Sequence, residues 1–486
     1  MLPKSQTFQW KSVISTTSSG KKQCQVGDLK THVSGRRPSQ APSQAPSQAP
    51  SQTLHFPSSS IKKTIAFLAL SLLSLSAYSQ TALEKKLFEM PDIIFKALPV
   101  PDEFEQAFEL LVKQPLDHHH PEKGSYYQRV WFSHRGYDRP TVIVTEGYYA
   151  KDNRIYELTN LLQANQLRVE HRYFEPSAPE KPYDWQYLNM EQACADLHRV
   201  RQLFTDLYQG KWVSTGISKG GMTSIYYRYF YPEDVDVSVP YVAPIDTAYE
   251  DARIYHFFDT IGTPECRAKI KAIQMQLLKD REEASLRLKW HSAGANSTFD
   301  YLGFEQAFEY AVLEYPFGFW QLGGSCAAIP DEKAPIDTIV QHFITVSGMS
   351  LFSDQELKNY GPHYYQAGTE TGYYGYEKED FKKYLHYLPE KPSAIFMPDK
   401  IKPVYDPTLS KKVFRWTQEQ GHRMIYIYGG TDTWTSAGVP ASNKVDADWF
   451  IMANRHHGDA RIKNMTAAER DRLIGDLERW LGIEIE

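Results

Sequence analysis

A serine between glycines, an aspartate after one apolar run and a pair of histidines after another could together perform nucleophilic catalysis. The serine is Ser218, in Gly216-Ile217-Ser218-Lys219-Gly220. This G-x-S-x-G spacing suits a sharp turn from a strand into a helix. Neighbours without a Cβ let the backbone fold tightly and the serine Oγ project. The helix that follows aims its N-terminal dipole and N–H groups at the place where an oxyanion would form. Asp432 follows Gly429-Gly430-Thr431, and His456-His457 follow Ala453-Asn454-Arg455. These types divide the work in a known way. A histidine takes the serine proton and returns it to the leaving group, while the aspartate orients the imidazole and stabilises its charged form. Singly, each is an ordinary feature: a Gly/Ser turn, a turn aspartate, a loop with two histidines.

The elements around them raise the set above coincidence. Lys211-Trp212-Val213 reads as a strand end, and Met222 to Tyr231 as a helix that stops at Pro232. Arg423 to Tyr428 reads as a strand running into Asp432, and Trp449 to Met452 as a last strand running into the histidines. The chain order Ser, Asp, His, with each residue just past a strand, is that of an α/β hydrolase. The expected fold is therefore α/β, a mostly parallel sheet with a helical cap inserted. Residues 81–245 would form the first part of the sheet domain, 246–395 the cap and 396–486 the second part. The cap is expected where the βα rhythm breaks, with helices over 268–287, 304–314 and 336–346. Further strands are expected at Tyr126 to Ser133, Thr141 to Val144, Gln166 to Glu170 and Val235 to Val242. Thr466 with Glu469 makes a capping box for a terminal helix to Leu481. The oxyanion hole would draw on the N–H of Lys219, after the nucleophile, and on Gly147 or Tyr148 after an early central strand.

The chain has 486 residues, and its 54 basic against 59 acidic side chains give no footprint for nucleic acid. Its 32 Tyr, 24 Phe and 10 Trp suit a large core and an aromatic-walled cleft. Residues 1–60 are polar and Ser/Pro/Gln-rich, with Ala-Pro-Ser-Gln repeats that forbid a helix. Lys62-Lys63, the apolar run Ile65 to Ala77 and Ala77-Tyr78-Ser79 then read as a signal peptide over 61–80, too short to span a membrane. Export, to periplasm or medium, with no stable membrane anchor is the expectation. The leader 1–60 would then precede the true start of translation. Of four cysteines, Cys24 lies in that leader and Cys194 in an expected helix. In an exported chain Cys266 and Cys326 are candidates for a disulfide, against two free buried thiols. His118-His119-His120 are adjacent and so diverge, which reads as a loop rather than a metal site. Glu170 and Arg172, at a strand's carboxyl end, could line a cleft or form a structural ion pair.

Several segments resemble a known family. They include Gln114-Pro115-Leu116-Asp117-His118, Glu170-His171-Arg172-Tyr173-Phe174, Thr215 to Thr223, Phe230 to Val235, Tyr241-Val242-Ala243-Pro244 and Gly262 to Arg267. Together they are similar to the bacterial secreted tripeptidyl aminopeptidases, relatives of lysosomal prolyl carboxypeptidase and dipeptidyl peptidase. The resemblance implies a capped α/β hydrolase acting on peptides with a free N-terminus, its nucleophile Ser218 and its acid Asp432. It implies no metal and no organic cofactor. His456-His457-Gly458-Asp459-Ala460-Arg461 matches the mammalian His-His-x-Asp-x-Arg pattern in register, which makes His456 the preferred base and His457 the alternative. A substrate ammonium needs a carboxylate shielded from water. Glu146, Glu170 and Glu175 are candidates, as are acids of the cap such as Glu314. Trp185, Trp320 and Trp434 could wall a proline pocket. A dipeptidyl peptidase, an esterase or lipase, and a non-catalytic protein on the same fold are the alternatives.

Overall fold

A computed structural model describes residues 80–485. The leader, Cys24 and all of the expected signal peptide but Gln80 lie outside the described residues. Helix α1, Ala82–Glu89, starts where Thr81 and Glu84 cap each other: the Thr81 N–H donates to Glu84 Oε2 at 2.7 Å, and the Glu84 N–H to Thr81 Oγ1 at 3.1 Å. From Leu87 to the C-terminus the chain forms one unit.

That unit is built on a nine-stranded sheet in the order β1-β2-β3-β5-β4-β6-β7-β8-β9. Strands β1 (Ile93–Ala97), β2 (Gln106–Pro115) and β3 (Ser125–His134) form an antiparallel meander, and β3 pairs antiparallel with β5 (Asn165–Val169). The rest is parallel: β5 with β4 (Thr141–Thr145), then β6 (Trp212–Ile217), β7 (Val237–Tyr241), β8 (Ile425–Gly429) and β9 (Asp448–Met452). The two halves differ in pattern for a physical reason. Every residue of β4, β5, β7 and β8 is buried, because helices cover both faces of the parallel half. Strand β2, nearer the antiparallel edge, mixes buried and partly exposed positions.

Three covering helices follow from their caps and apolar stripes. Asn189 accepts from the Gln192 N–H to start α2, Met190–Leu203. The helix α3, Lys219–Phe230, follows Ser218. At the end of the chain, the capping box of Thr466 and Glu469 forms, and Gly482 closes the terminal helix in the left-handed conformation. That helix packs Leu473, Leu477 and Trp480 onto Val142, Val239, Ile427 and Phe450 of the parallel strands. These arrangements, with the elbow after β6, make the chain an α/β hydrolase.

Between β7 and β8 the chain leaves the sheet for helices α4 (Arg253–Thr260), α5 (Pro264–Lys279), α6 (Arg281–Gly294), α7 (Phe304–Gln321), α8 (Ile336–Val346) and α9 (Gly361–Gln366). Helix α10 (Thr408–Glu419) leads back to β8, and the terminal helix is α11 (Ala467–Leu481). The single helix expected over 268–287 is two, broken at Asp280, whose φ of −96° and ψ of 36° leave the helical region. Helix α7 passes through Pro316, beyond the expected end at Glu314, because its aromatic face stays buried to Trp320. This helical segment has one apolar core, which Trp434 and Ala437 of the sheet domain join.

Cys266, in the first turn of α5, and Cys326, past the end of α7, form a disulfide with Cα atoms 5.4 Å apart. Cys194 is a buried free thiol. The bridge closes a sequence separation of 60 residues. Replacing both half-cystines by serine is expected to destabilise the helical segment by about 2–4 kcal/mol, read as a lower urea midpoint by tryptophan fluorescence. An unchanged midpoint would mean that packing alone holds the segment.

Candidate active site

Strand β6 ends at Ile217 and α3 begins at Lys219, so Ser218 alone makes the turn. Its φ of 60° and ψ of −126° are strained for a residue with a Cβ. The glycines permit this by close backbone approach. A Cβ on Gly216 would stand 2.3 Å from the Gly220 carbonyl oxygen and 2.5 Å from that of Thr145. A Cβ on Gly220 would stand 2.5 Å from the same Thr145 oxygen. The turn is pinned at both sides: the Ser218 N–H donates to Tyr241 O at 2.9 Å, and Thr145 Oγ1 donates to Gly220 O at 2.8 Å.

The segment after β4 lies against this elbow. A Cβ on Gly147 would come 2.5 Å from Lys219 Cβ, so the two candidate oxyanion-hole segments are in contact. Tyr148 shares the cleft with Ser218.

Asp432 follows β8 and is fully buried. Its Oδ1 accepts from the Trp434 N–H at 3.2 Å, and its Oδ2 lies 2.8 Å from His457 Nδ1. The aspartate is thus held by the backbone on one oxygen and engages a histidine with the other. That histidine is His457, the alternative base, and not the preferred His456. The local geometry explains why His457, and not His456, meets Asp432. The His456 N–H donates to Asp459 Oδ1 at 2.6 Å, and its ring Nδ1 accepts from the Gly458 N–H at 3.1 Å. The ring packs on Gly323, where a Cβ would stand 2.5 Å from His456 Cδ2. His456 therefore faces the turn after α7, and burial holds its pKa below the usual imidazole value.

The cleft at Ser218 has two walls. Tyr148 and Trp434 belong to the sheet domain, and Glu314, Gln321, Tyr373 and Tyr374 to the helical segment. Trp434 packs its ring 5.1 Å from Phe317 and 5.2 Å from Tyr373. Trp185 stacks instead on Tyr173 and Tyr365, and Trp320 packs under Gly262.

The four carboxylates separate by environment. Glu170 is fully buried but committed: Oε1 takes Arg129 at 2.6 Å and the Ala150 N–H at 2.7 Å, and Oε2 takes Ser177 Oγ at 2.6 Å. Glu146 holds Arg168 at 2.7 Å and Tyr156 at 2.8 Å. Glu175 is an exposed partner of Lys181 and Tyr183. None of these three lines the cleft. Arg172 is likewise structural, bound to buried Asp196 at 2.7 Å. Glu314 differs. Tyr374 donates to its two oxygens at 2.9 and 3.0 Å, and Tyr376 donates to Oε2 at 2.7 Å. No basic side chain pairs with it among the described residues. Burial pushes its pKa up to about 7, although both tyrosines favour the ionised form. Glu314 thus combines burial, neutral hydroxyl donors and the absence of a paired cation among the described residues.

Sequence reasoning did not single out Tyr373, Tyr374 and Tyr376. Their run around Gly375 has neither helical nor strand period, so only its density of aromatics could have drawn attention. No metal-binding cluster occurs among the described residues.

The family described as PS-10 peptidase S37 matches residues 86–484. The prolyl tri/tetrapeptidyl aminopeptidase of Streptomyces mobaraensis is 32% identical over 416 residues, covering 83% of this chain and 86% of its own. The serine protease vicPb of Bipolaris victoriae (strain FI3) is 36% identical over 99 residues, 17% of this chain and 18% of its own. Among solved structures, the α/β hydrolase GrgF from Penicillium sp. sh18 covers 80% of this chain and 99% of its own at 12% identity, with a TM-score of 0.36.

Proposed function

This chain belongs to the PS-10 peptidase S37 family and is a serine peptidase, and from that premise we propose that it removes tripeptides ending in proline from free peptide N-termini. One observation carries the reading: Glu314 shares a cleft with Ser218 and has no cation of its own among the described residues. A peptide whose ammonium meets Glu314 presents a peptide bond a short, fixed distance away, which makes the enzyme an exopeptidase. Trp434 and Tyr373 supply the aromatic wall for a proline ring.

The triad is Ser218, His457 and Asp432. Asp432 holds Nδ1 of His457, so Nε2 takes the Ser218 proton as Oγ adds to the carbonyl carbon. The oxyanion accepts from the N–H groups of Lys219 and Tyr148. His457 then gives its proton to the departing amine, leaving the tripeptide esterified to Ser218. Water repeats the sequence and frees it. The expected signal peptide and the disulfide together support export to an oxidising compartment.

The test compares chromogenic amides of Ala-Ala-Pro and Ala-Pro, each with a free and a blocked N-terminus, on protein whose Ser218 is titrated with a fluorophosphonate. Turnover of the free tripeptide alone is expected. Preference for the free dipeptide would make it a dipeptidyl peptidase. Equal turnover of free and blocked peptides would remove the role of Glu314. Ester hydrolysis without amide turnover would favour an esterase.

A further inference from the structure

The side chain of Lys219 is fully enclosed, yet it belongs to no ion pair at hydrogen-bond distance among the described residues. Its Nζ donates to Gly147 O at 2.8 Å and to Gln366 Oε1 at 2.6 Å. The rings of Tyr148 and Phe174 lie 5.6 and 5.7 Å from it. Gln366 is the last residue of α9, in the helical segment, and is itself fully buried. A long cationic side chain spent on two neutral carbonyl oxygens calls for an explanation, because its burial costs stability.

The explanation lies in the peptide unit it grips. The Gly147 carbonyl and the Tyr148 N–H are the two ends of one amide. In a trans peptide they point to opposite edges of the plane. A donor fixed on the carbonyl therefore fixes the direction of the N–H. It also polarises the amide, so that the N–H becomes a stronger donor. We propose that the Lys219 side chain is a positioning residue that orients and polarises the Gly147–Tyr148 amide as the second oxyanion-hole donor, and locks it to Gln366 of the helical segment. One residue then serves the oxyanion twice, by its own N–H and through its side chain.

The environment agrees. The titratable groups facing Nζ are Glu370, whose Oε2 accepts from the Met190 N–H at 2.8 Å, and the buried rings of His171 and His363. Burial pushes the Lys219 amine down to about 7, with the Glu370 charge opposing. An uncharged amine still has two N–H groups for its two acceptors. The grip thus survives deprotonation, and burial lowers the pKa of both imidazoles, with the charged form of the amine adding to it.

This inference rests on the triad reading, and the experiment separates the two. The probe is a tripeptide boronic acid with proline at the boron end. Ser218 Oγ adds to boron, its proton passes to His457, nothing leaves, and a boron hydroxyl occupies the oxyanion position. The comparison ligand is the free tripeptide Ala-Ala-Pro, which forms no such bond. Lys219→Met is expected to weaken the boronate about 10- to 100-fold, a fraction of what deleting a whole oxyanion donor costs. It is expected to change binding of the free tripeptide less than threefold and to lower kcat rather than raise KM. If Lys219→Met does not fold, Lys219→Gln, one atom too short for the same reach, carries the same expectation. Equal weakening of both ligands, or of neither, would overturn the proposal. A wild-type protein that takes no boronate on Ser218 would instead overturn the triad, and the role of Lys219 with it.

Discussion

Replacing His457 by alanine is expected to lower kcat on a tripeptide amide by about 10⁴-fold, equivalent to about 5 kcal/mol of lost transition-state stabilisation. Replacing His456 by alanine is expected to cost less than about tenfold. The two residues are adjacent and of one type, so the contrast isolates position. His457 holds Asp432 at 2.8 Å through Nδ1, which fixes the tautomer that leaves Nε2 to act as base. His456 spends Nδ1 on the Gly458 N–H, and its ring fills space over Gly323. Its loss should appear mainly as a lower melting temperature, through the turn that follows α7. His457→Ala should still hold substrate, because the cleft wall and Glu314 are untouched. The reverse ranking of activities would return the base to His456 and make the contact with Asp432 structural.

How far the sequence carried depended on whether the signal was local. The elbow was legible because sterics write it into consecutive residues: only glycines fit at 216 and 220, where backbone oxygens stand within 2.5 Å of any Cβ. The parallel strands were legible as short β-branched and aromatic runs, and the terminal helix by its Thr466 capping box. Strand β1 was not anticipated, since Ile93–Ala97 is a half-exposed edge with little apolar contrast. Which of His456 and His457 meets Asp432 was not legible, for another reason. A motif in register gives no side-chain direction, and direction here is set by Asp459 holding the His456 N–H. The carboxylate was the least legible part. Glu170 stands in a segment that carries the resemblance but is consumed by Arg129 and Ser177. Glu314 shares the cleft with Ser218 only because a helix about a hundred residues downstream folds over the sheet, a placement that no local period encodes.

Glu314→Gln carries the other large expected effect, because it removes charge while keeping shape. The amide oxygen can still accept from Tyr374 and Tyr376, so the fold should hold. Removing one partner of a shielded ion pair costs about 3–5 kcal/mol. For peptides with a free N-terminus, kcat/KM should therefore fall about 10²- to 10⁴-fold. Blocked peptides bring no ammonium and leave the wild-type carboxylate buried without a partner. They should lose nothing in the variant and should gain, so the free-to-blocked ratio collapses. The pH profile gives an independent reading. Burial raises the Glu314 carboxyl to about 7, so below that pH it is protonated and cannot pair with the ammonium. A substrate α-amino group loses its proton near about 8. Wild-type kcat/KM on free peptides should rise with pH through about 7 and fall beyond about 8. In Glu314→Gln the rising limb that belongs to this carboxyl should vanish. A bound ammonium favours the ionised carboxylate, so the Glu314 limb should be weaker in kcat than in kcat/KM. Equal losses on free and blocked peptides, with an unchanged pH profile, would mean that Glu314 serves the tyrosines of the fold and that another group receives the amine.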